Sequence, residues 1–99
     1  MRVIIWTGPS RNDLASIHEY IAKDSEYYAK IFVSKLIHSV DKLLTFPAIG
    51  RVVPELQDES IREIIVDPYR IIYKIDQDFL HVLAVVHGRR DLSRIKLKK

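Results

Sequence analysis

Cationic side chains interrupt two hydrophobic segments near the end of this 99-residue chain. The segment 69–75 carries Arg70 among β-branched and aromatic residues, and the segment 85–92 carries His87 and Arg89. Strand alternation places Arg70 on the face opposite its flanking aromatic residues. A cation inside such a strand is costly to bury unless it is paired or faces a polar ligand. The pattern leaves two interpretations open, an anion-binding arginine or an arginine on a half-exposed sheet.

Three arginines come from successive predicted strands or their ends, namely Arg62, Arg70 and Arg89. A sheet is able to bring such residues together, and guanidinium groups suit phosphate binding. They would also stabilise the negative charge that develops when a 2′-hydroxyl attacks its own phosphodiester. The structural alternative is that Arg62 pairs with Glu63 or Asp67 across the sheet.

Proton transfer in such a reaction would need an acid and a base. His87 has a reference pKa near 6.5, so its imidazole is able to gain or lose a proton near neutral pH. Glu55, in a polar loop, is the candidate base. The alternative for His87 is that it simply ends a strand.

The helices that must support this sheet are marked by caps and apolar spacing. A short apolar strand from Val3 to Thr7 stops at Gly8-Pro9, and Ser10 is the predicted N-cap of a helix running to about Lys23. Asp24-Ser25 ends that helix and supplies the next cap. A second helix then extends to Pro47, with a continuous apolar stripe. The stripe consists of Ala29, Phe32, Val33, Leu36, Ile37, Val40, Leu43 and Leu44.

Three strands are predicted after the second helix, at 61–66, 69–75 and 79–87, with turn residues between them. The order β-α-α-β-β-β predicts an α+β fold with a helical hairpin packed on one face of a mainly antiparallel sheet. We expect residues 1–99 to form a single domain whose opposite sheet face is left free. Tyr73 is predicted to be core, and packing roles are expected for the aromatic residues Trp6, Tyr20, Tyr27 and Tyr28.

The positive charge is concentrated at the end of the chain. Residues 89–99 hold six cations against Asp91 alone, whereas residues 1–88 hold 10 basic and 12 acidic side chains. Such a segment attracts nucleic acid or an acidic protein, although a solvated terminus is an equally ordinary explanation. The candidate binding residues are Arg90 and Arg94 in this segment and Arg51 in the loop that follows the second predicted helix.

Several classes of site are disfavoured by composition. The chain has no cysteine, and its four histidines lack zinc-like spacing, so we expect no metal and no cofactor. It has no Gly-x-Ser-x-Gly elbow and no phosphate-cradling glycine loop. No apolar run approaches the roughly 18–20 residues needed to cross a bilayer, and no signal peptide is apparent. We therefore expect a cytoplasmic protein with no membrane contact.

Motifs spread over nearly the whole chain resemble those of the RelE/ParE superfamily, the toxins of type II toxin–antitoxin (plasmid stabilisation) modules. Their order and spacing carry the resemblance, rather than any one of them. They are Trp6-Thr7, Asp13-Leu14, Ile17-Tyr20-Ile21, Ala29, Phe32, Leu43-Leu44, Phe46-Pro47, Gly50 to Glu55, Ile61-Arg62-Glu63, Tyr69 to Tyr73, and Val86 to Arg90.

The resemblance implies a toxin that is neutralised by a cognate antitoxin, with one of two targets. ParE-like members poison DNA gyrase, whereas RelE-like members cut mRNA on the translating ribosome without a metal. In the RelE-like case the catalytic residues would be Arg62, Arg70, His87 and Arg89. A terminal catalytic tyrosine is usual there, but no tyrosine follows Tyr73 in this chain. We therefore expect gyrase inhibition, with ribosome-dependent endoribonuclease activity as the alternative.

Overall fold

The protein is described here by a computed structural model that covers residues 2–93. Two helices follow the first strand, and a 3₁₀ turn at Lys42–Leu44 extends the second. The strands are β1 (Val3–Trp6), β2 (Arg51–Val52), β3 (Ile61–Val66), β4 (Tyr69–Ile75) and β5 (Phe79–His87), and the helices are α1 (Gly8–Ala22) and α2 (Glu26–Asp41).

The described strands form one sheet in the order β1-β5-β4-β3-β2. β1 runs parallel to β5, and all other neighbouring pairs are antiparallel. The predicted α+β class and its helical hairpin on a mainly antiparallel sheet are therefore confirmed. The short strand β2 was not predicted, because Arg51 and Val52 lie between loop residues and pair only with Arg62 and Glu63.

The cap of α1 differs from the sequence prediction. The side chain of Thr7 accepts a hydrogen bond from the backbone N–H of Ser10, at 3.3 Å, so Thr7 is the N-cap and Ser10 is buried in the first turn. The first strand ends before Gly8-Pro9, as predicted, and the same two residues begin the helix, since a proline in the first turn needs no backbone donor. Ser25 caps α2 as predicted, with its hydroxyl accepting from the Tyr28 N–H.

The helices cover one face of the sheet, where the larger core lies. Leu36 and Val40 from α2 are fully buried there, as the apolar stripe predicts. They pack with Ile71 and Tyr73 of β4 and with residues of β5. Tyr73 is a core residue, as predicted.

The opposite face of the sheet is not free, contrary to the prediction. A second buried cluster covers it, in which Val53 from the loop and Leu92 from the end of the chain pack on Ile72 and Ala84. A bulge helps to build this cluster, because Tyr73 pairs with Val82 whereas Ile72 pairs with Ala84. The extra residue Leu83 shifts the alternation of β5, so apolar side chains are available on both faces.

Three of the four aromatic packing assignments are wrong. Tyr20, Tyr27 and Tyr28 are 65–70% exposed near the tip of the helical hairpin, because the hairpin buries only the faces that meet the sheet. Trp6 does pack against the larger core. Within residues 2–93, none of the helices has the length and apolar character needed to cross a membrane.

Candidate functional site

Arg70 is the centre of an ion-pair network on the sheet face that carries the second cluster. Its side chain is only 6% exposed. The Nε atom donates to Glu63 Oε1 at 2.7 Å, while Nη1 and Nη2 donate to the two oxygens of Glu55 at 2.8 and 2.9 Å. Nη1 also donates to the backbone carbonyl of Arg90 at 3.0 Å. All three nitrogens of the guanidinium group are therefore engaged.

A second arginine completes the charge balance of this network. Arg51 Nε donates to Glu63 Oε2 at 2.5 Å from a largely exposed side chain, whereas the Glu63 carboxylate is completely buried. Two cations thus offset two anions. A buried carboxylate is tolerated only when it is paired and hydrogen-bonded, and Glu63 meets that condition with an arginine on each oxygen.

Glu55 links the network to the last described residues. Its carboxylate accepts hydrogen bonds from both Nη atoms of Arg70 and another from the backbone N–H of Leu92 at 3.1 Å. The hydrogen bond from Arg70 is the main reason why the pKa of Glu55 falls to about 2, and the same pairing raises the pKa of Arg70. Arg70 and Glu55 together hold the loop after β2 and the segment at 90–92 against the sheet.

Arg62 lies on the other face of the sheet. It pairs with Tyr73 across β3 and β4, and its Nη1 donates to the Gly50 carbonyl at 2.9 Å. The Tyr73 hydroxyl donates to the Pro47 carbonyl at 2.8 Å and accepts the Gly50 N–H at 3.0 Å. A Cβ atom at Gly50 would overlap the Tyr73 hydroxyl, so the backbone at position 50 can lie this close to Tyr73 only because the residue is glycine. Burial raises the pKa of Tyr73.

His87 and Arg89 lie together at the end of β5. Both are exposed, and they line an open depression of about 520 Å³ with Pro68 and its neighbours. The Arg89 backbone N–H donates to Nδ1 of His87 at 3.2 Å. The imidazole ring also meets the edge of Tyr69, with ring centroids 6.0 Å apart.

The predicted residues therefore divide into separate groups. Arg70, Glu55 and Arg51 share one network, His87 and Arg89 share the depression, and the Arg62 side chain is on the opposite face from Arg70. Arg90 joins the network only through its carbonyl, since its side chain is exposed. Arg94 lies outside the described residues.

Sequence reasoning did not predict that Glu63 joins two arginines. The available signal was a carboxylate at an alternating position between isoleucines, on the strand beside that of Arg70. Alternation places Glu63 and Arg70 on the same face once the register of β3 and β4 is known. The register itself could not be taken from the sequence, since it depends on the turn at 67–68.

Comparisons with known proteins agree on one family. Residues 4–92 match the family described as "ParE toxin of type II toxin-antitoxin system, parDE". "Putative toxin Y4kP" of Sinorhizobium fredii (strain NBRC 101917 / NGR234) is 32% identical over 94 residues, which cover 93% of this chain and 94% of that protein.

A solved structure supports the same fold. The structure titled "Chromosomal ParDE TA system from P. aeruginosa" matches with a TM-score of 0.74 over 88% of this chain and 96% of that chain, at 18% identity. That likeness concerns the fold, whereas the family match and the curated relative concern the sequence itself. Both extend over most of the residues, and they confirm the expected superfamily. The chain belongs to the ParE toxins of type II toxin–antitoxin systems.

Proposed function

We propose that this toxin arrests growth by inhibiting DNA gyrase and is held inactive by its cognate antitoxin. The observation that carries the proposal is that all three guanidinium nitrogens of Arg70 already donate hydrogen bonds within the protein. Its guanidinium group is shared by Glu55, Glu63 and the Arg90 carbonyl, so no N–H fork points toward solvent to receive a scissile phosphate. The cytoplasm, where gyrase acts on DNA, is the proposed location.

A phosphodiester would have to displace Glu55 in order to reach Arg70. Doing so would leave the Glu55 carboxylate, whose pKa is lowered by this pairing, without its partner, at a cost of about 1–3 kcal/mol for a partly buried charged hydrogen bond. Arg62 offers no substitute, since it lies on the other face and donates to the Gly50 carbonyl. These costs favour a toxin that acts through contact with its target rather than through RNA cleavage.

The positions of the tyrosines also favour inhibition by binding to a target over cleavage of RNA. No tyrosine follows Tyr73 in the chain, and the Tyr73 hydroxyl is used by Pro47 and Gly50. Burial further disfavours its ionised form. Tyr73 is therefore unavailable as the general base of a phosphodiester cleavage.

One observation favours the second candidate, a ribosome-dependent endoribonuclease. His87 and Arg89 are exposed and line the same depression, so an acid–base group and a phosphate-binding cation are adjacent there. In that mechanism His87 would move the proton and Arg89 would bind the phosphate.

A pair of assays separates the two targets. The purified toxin is expected to stop gyrase-dependent supercoiling of a relaxed plasmid and to produce no cuts in mRNA on translating ribosomes, as read by primer extension. The variants His87→Ala and Arg89→Ala are compared with Arg11→Ala, an exposed arginine on α1.

Codon-phased cuts that disappear in His87→Ala and Arg89→Ala, but persist in Arg11→Ala, would contradict the gyrase proposal. That outcome would be decisive if supercoiling were also unaffected by the toxin. A removed general acid or base typically lowers a cleavage rate about 10²–10⁴-fold, which primer extension detects easily.

A further inference from the structure

An apolar groove runs along the outer edge of β3, beneath the end of α2. Its volume is about 350 Å³, and exposed apolar side chains line it. Phe46 is 63%, Ile49 70% and Ile65 57% exposed. Large apolar side chains grouped in this way on a small protein are typical of interaction sites. We call this feature the β3 groove; Leu43, Ile64 and Val66 complete its apolar lining.

The sheet is open beside this groove. β2 pairs only with Arg62 and Glu63, so within residues 2–93 no strand lies beside the outer edge of residues 64–66. An uncovered strand edge next to exposed apolar side chains is usually protected by charges or covered by another chain. The three residues at this edge, Ile64, Ile65 and Val66, carry no charge.

A basic surface continues directly from the groove along α2. Lys30, Lys35 and Lys42 line a shallow depression with His38, Ser34, Ser39 and Ile31, and no acidic side chain contributes to it. Ser39 and Lys42 line both the depression and the groove. None of the three lysines takes part in an ion pair among those found in residues 2–93. We call this feature the α2 basic surface.

We infer that the β3 groove and the α2 basic surface together bind an acidic amphipathic segment of the cognate antitoxin. Apolar side chains of that segment would fill the groove, while its carboxylates would lie over Lys30, Lys35 and Lys42. The groove and the lysines together indicate an amphipathic, acidic partner, because the groove buries apolar side chains and the lysines attract negative charge. This inference rests on membership in an antitoxin-neutralised family and not on gyrase as the target.

Other occupants fit less well. A nucleic acid backbone would match the lysines but leave Phe46 and Ile49 exposed to water. A second copy of this chain, bound through a two-fold interface, would bring two α2 basic surfaces into one contact and set like charges against each other.

The test is titration calorimetry with the purified full-length toxin and its full-length cognate antitoxin. Phe46→Ala and Ile49→Ala are each expected to weaken binding by about tenfold or more, as buried anchor residues do. Phe79→Ala is the matched apolar control, because Phe79 is 39% exposed at the start of β5, outside the groove. Thermal unfolding confirms that each variant is folded, which we expect because the substituted side chains are exposed.

Charge reversal tests the other half of the surface. Lys35→Glu combined with Lys42→Glu should weaken antitoxin binding and reduce its dependence on salt, whereas Lys23→Glu, an exposed lysine at the end of α1, should change neither.

Three results would overturn the inference. The first is unchanged antitoxin affinity in the folded groove and lysine variants. The second is loss of gyrase inhibition with antitoxin affinity retained, which would assign the surface to the target. The third is a change in self-association alone, which would assign it to a second copy. Calorimetry needs no gyrase, so failure of the proposed target leaves this test intact.

Discussion

A single residue type, arginine, serves different purposes at different places in this molecule. Arg70 is almost fully buried and paired with two carboxylates, whereas Arg89 is exposed at the end of β5. The difference arises from strand position, because Arg70 lies within the sheet where an unpaired cation is costly. A buried pair of this kind adds little net stability compared with apolar residues, but the loss of one partner is strongly destabilising.

Glu55→Gln tests the network through its dependence on pH. The substitution should lower the free energy of unfolding by about 1–3 kcal/mol at pH 7, since Arg70 loses a charged partner. The folded pKa of Glu55 is lowered from 4.5 to about 2, so its stabilising effect is complete above pH 4.5 and is lost as the pH falls toward 2. Urea unfolding at pH 7, 5, 3 and 2 measures the difference between the two proteins.

The control is Glu59→Gln, which removes an exposed carboxylate from the same loop and should have little effect at any of these pH values. A stability difference between wild type and Glu55→Gln that stays the same at pH 2 and pH 7 would contradict the assigned ion pair.

At the scale of elements, α2 supplies the side chains that fix the helical hairpin to the sheet. The residues of its apolar stripe do not contribute equally. Leu36 is completely buried, while the adjacent Ile37 is 38% exposed. The helix therefore turns a narrow face to the sheet and leaves the other side, with its lysines, in solvent.

Leu36→Ala is expected to lower the free energy of unfolding by about 2–5 kcal/mol, because it removes buried surface and leaves a cavity. Such a loss is a large share of the roughly 5–15 kcal/mol that stabilises a typical domain. Ile37→Ala is the matched control and should cost less than about 1 kcal/mol. Denaturant unfolding of both variants provides the measurement, and equal losses would show that the buried face of α2 is misplaced.

At the scale of the whole molecule, a small toxin must expose surfaces to an antitoxin and to a target. The described surfaces with suitable chemistry are the β3 groove, the α2 basic surface and the depression beside His87. The depression shares no lining residue with the groove or the basic surface, so neutralisation and target contact need not use the same residues. Family membership assigns the antitoxin as a partner, whereas the target stays a proposal.

Induced synthesis of the chain in bacteria is expected to arrest growth, because the family match predicts an active toxin. Co-expression of the cognate antitoxin should restore growth and yield a stable complex on purification. Growth curves with immunoblots of both proteins provide the measurement. Normal growth despite abundant, folded toxin would count against toxin activity of this chain.

Apart from the short strand β2, the sequence alone determined the order of elements, the fold class and the family. Hydrophobic periodicity is a local property, so the apolar stripe of α2 and the strands at 61–66, 69–75 and 79–87 were predictable. The family was recognisable because its motifs are spread along the chain in a fixed order. The sequence also revealed Arg70 as an unusual cation among apolar residues.

Only the tertiary structure decided what those cations contact. The register of β3 against β4 sets Glu63 beside Arg70 and turns Arg62 to the opposite face, and a shift of one residue would reverse both. The burial of the second sheet face depends on the loop at Val53 and on Leu92, which are distant in sequence. Contacts between distant residues depend on the packing of the whole chain, which no local pattern records.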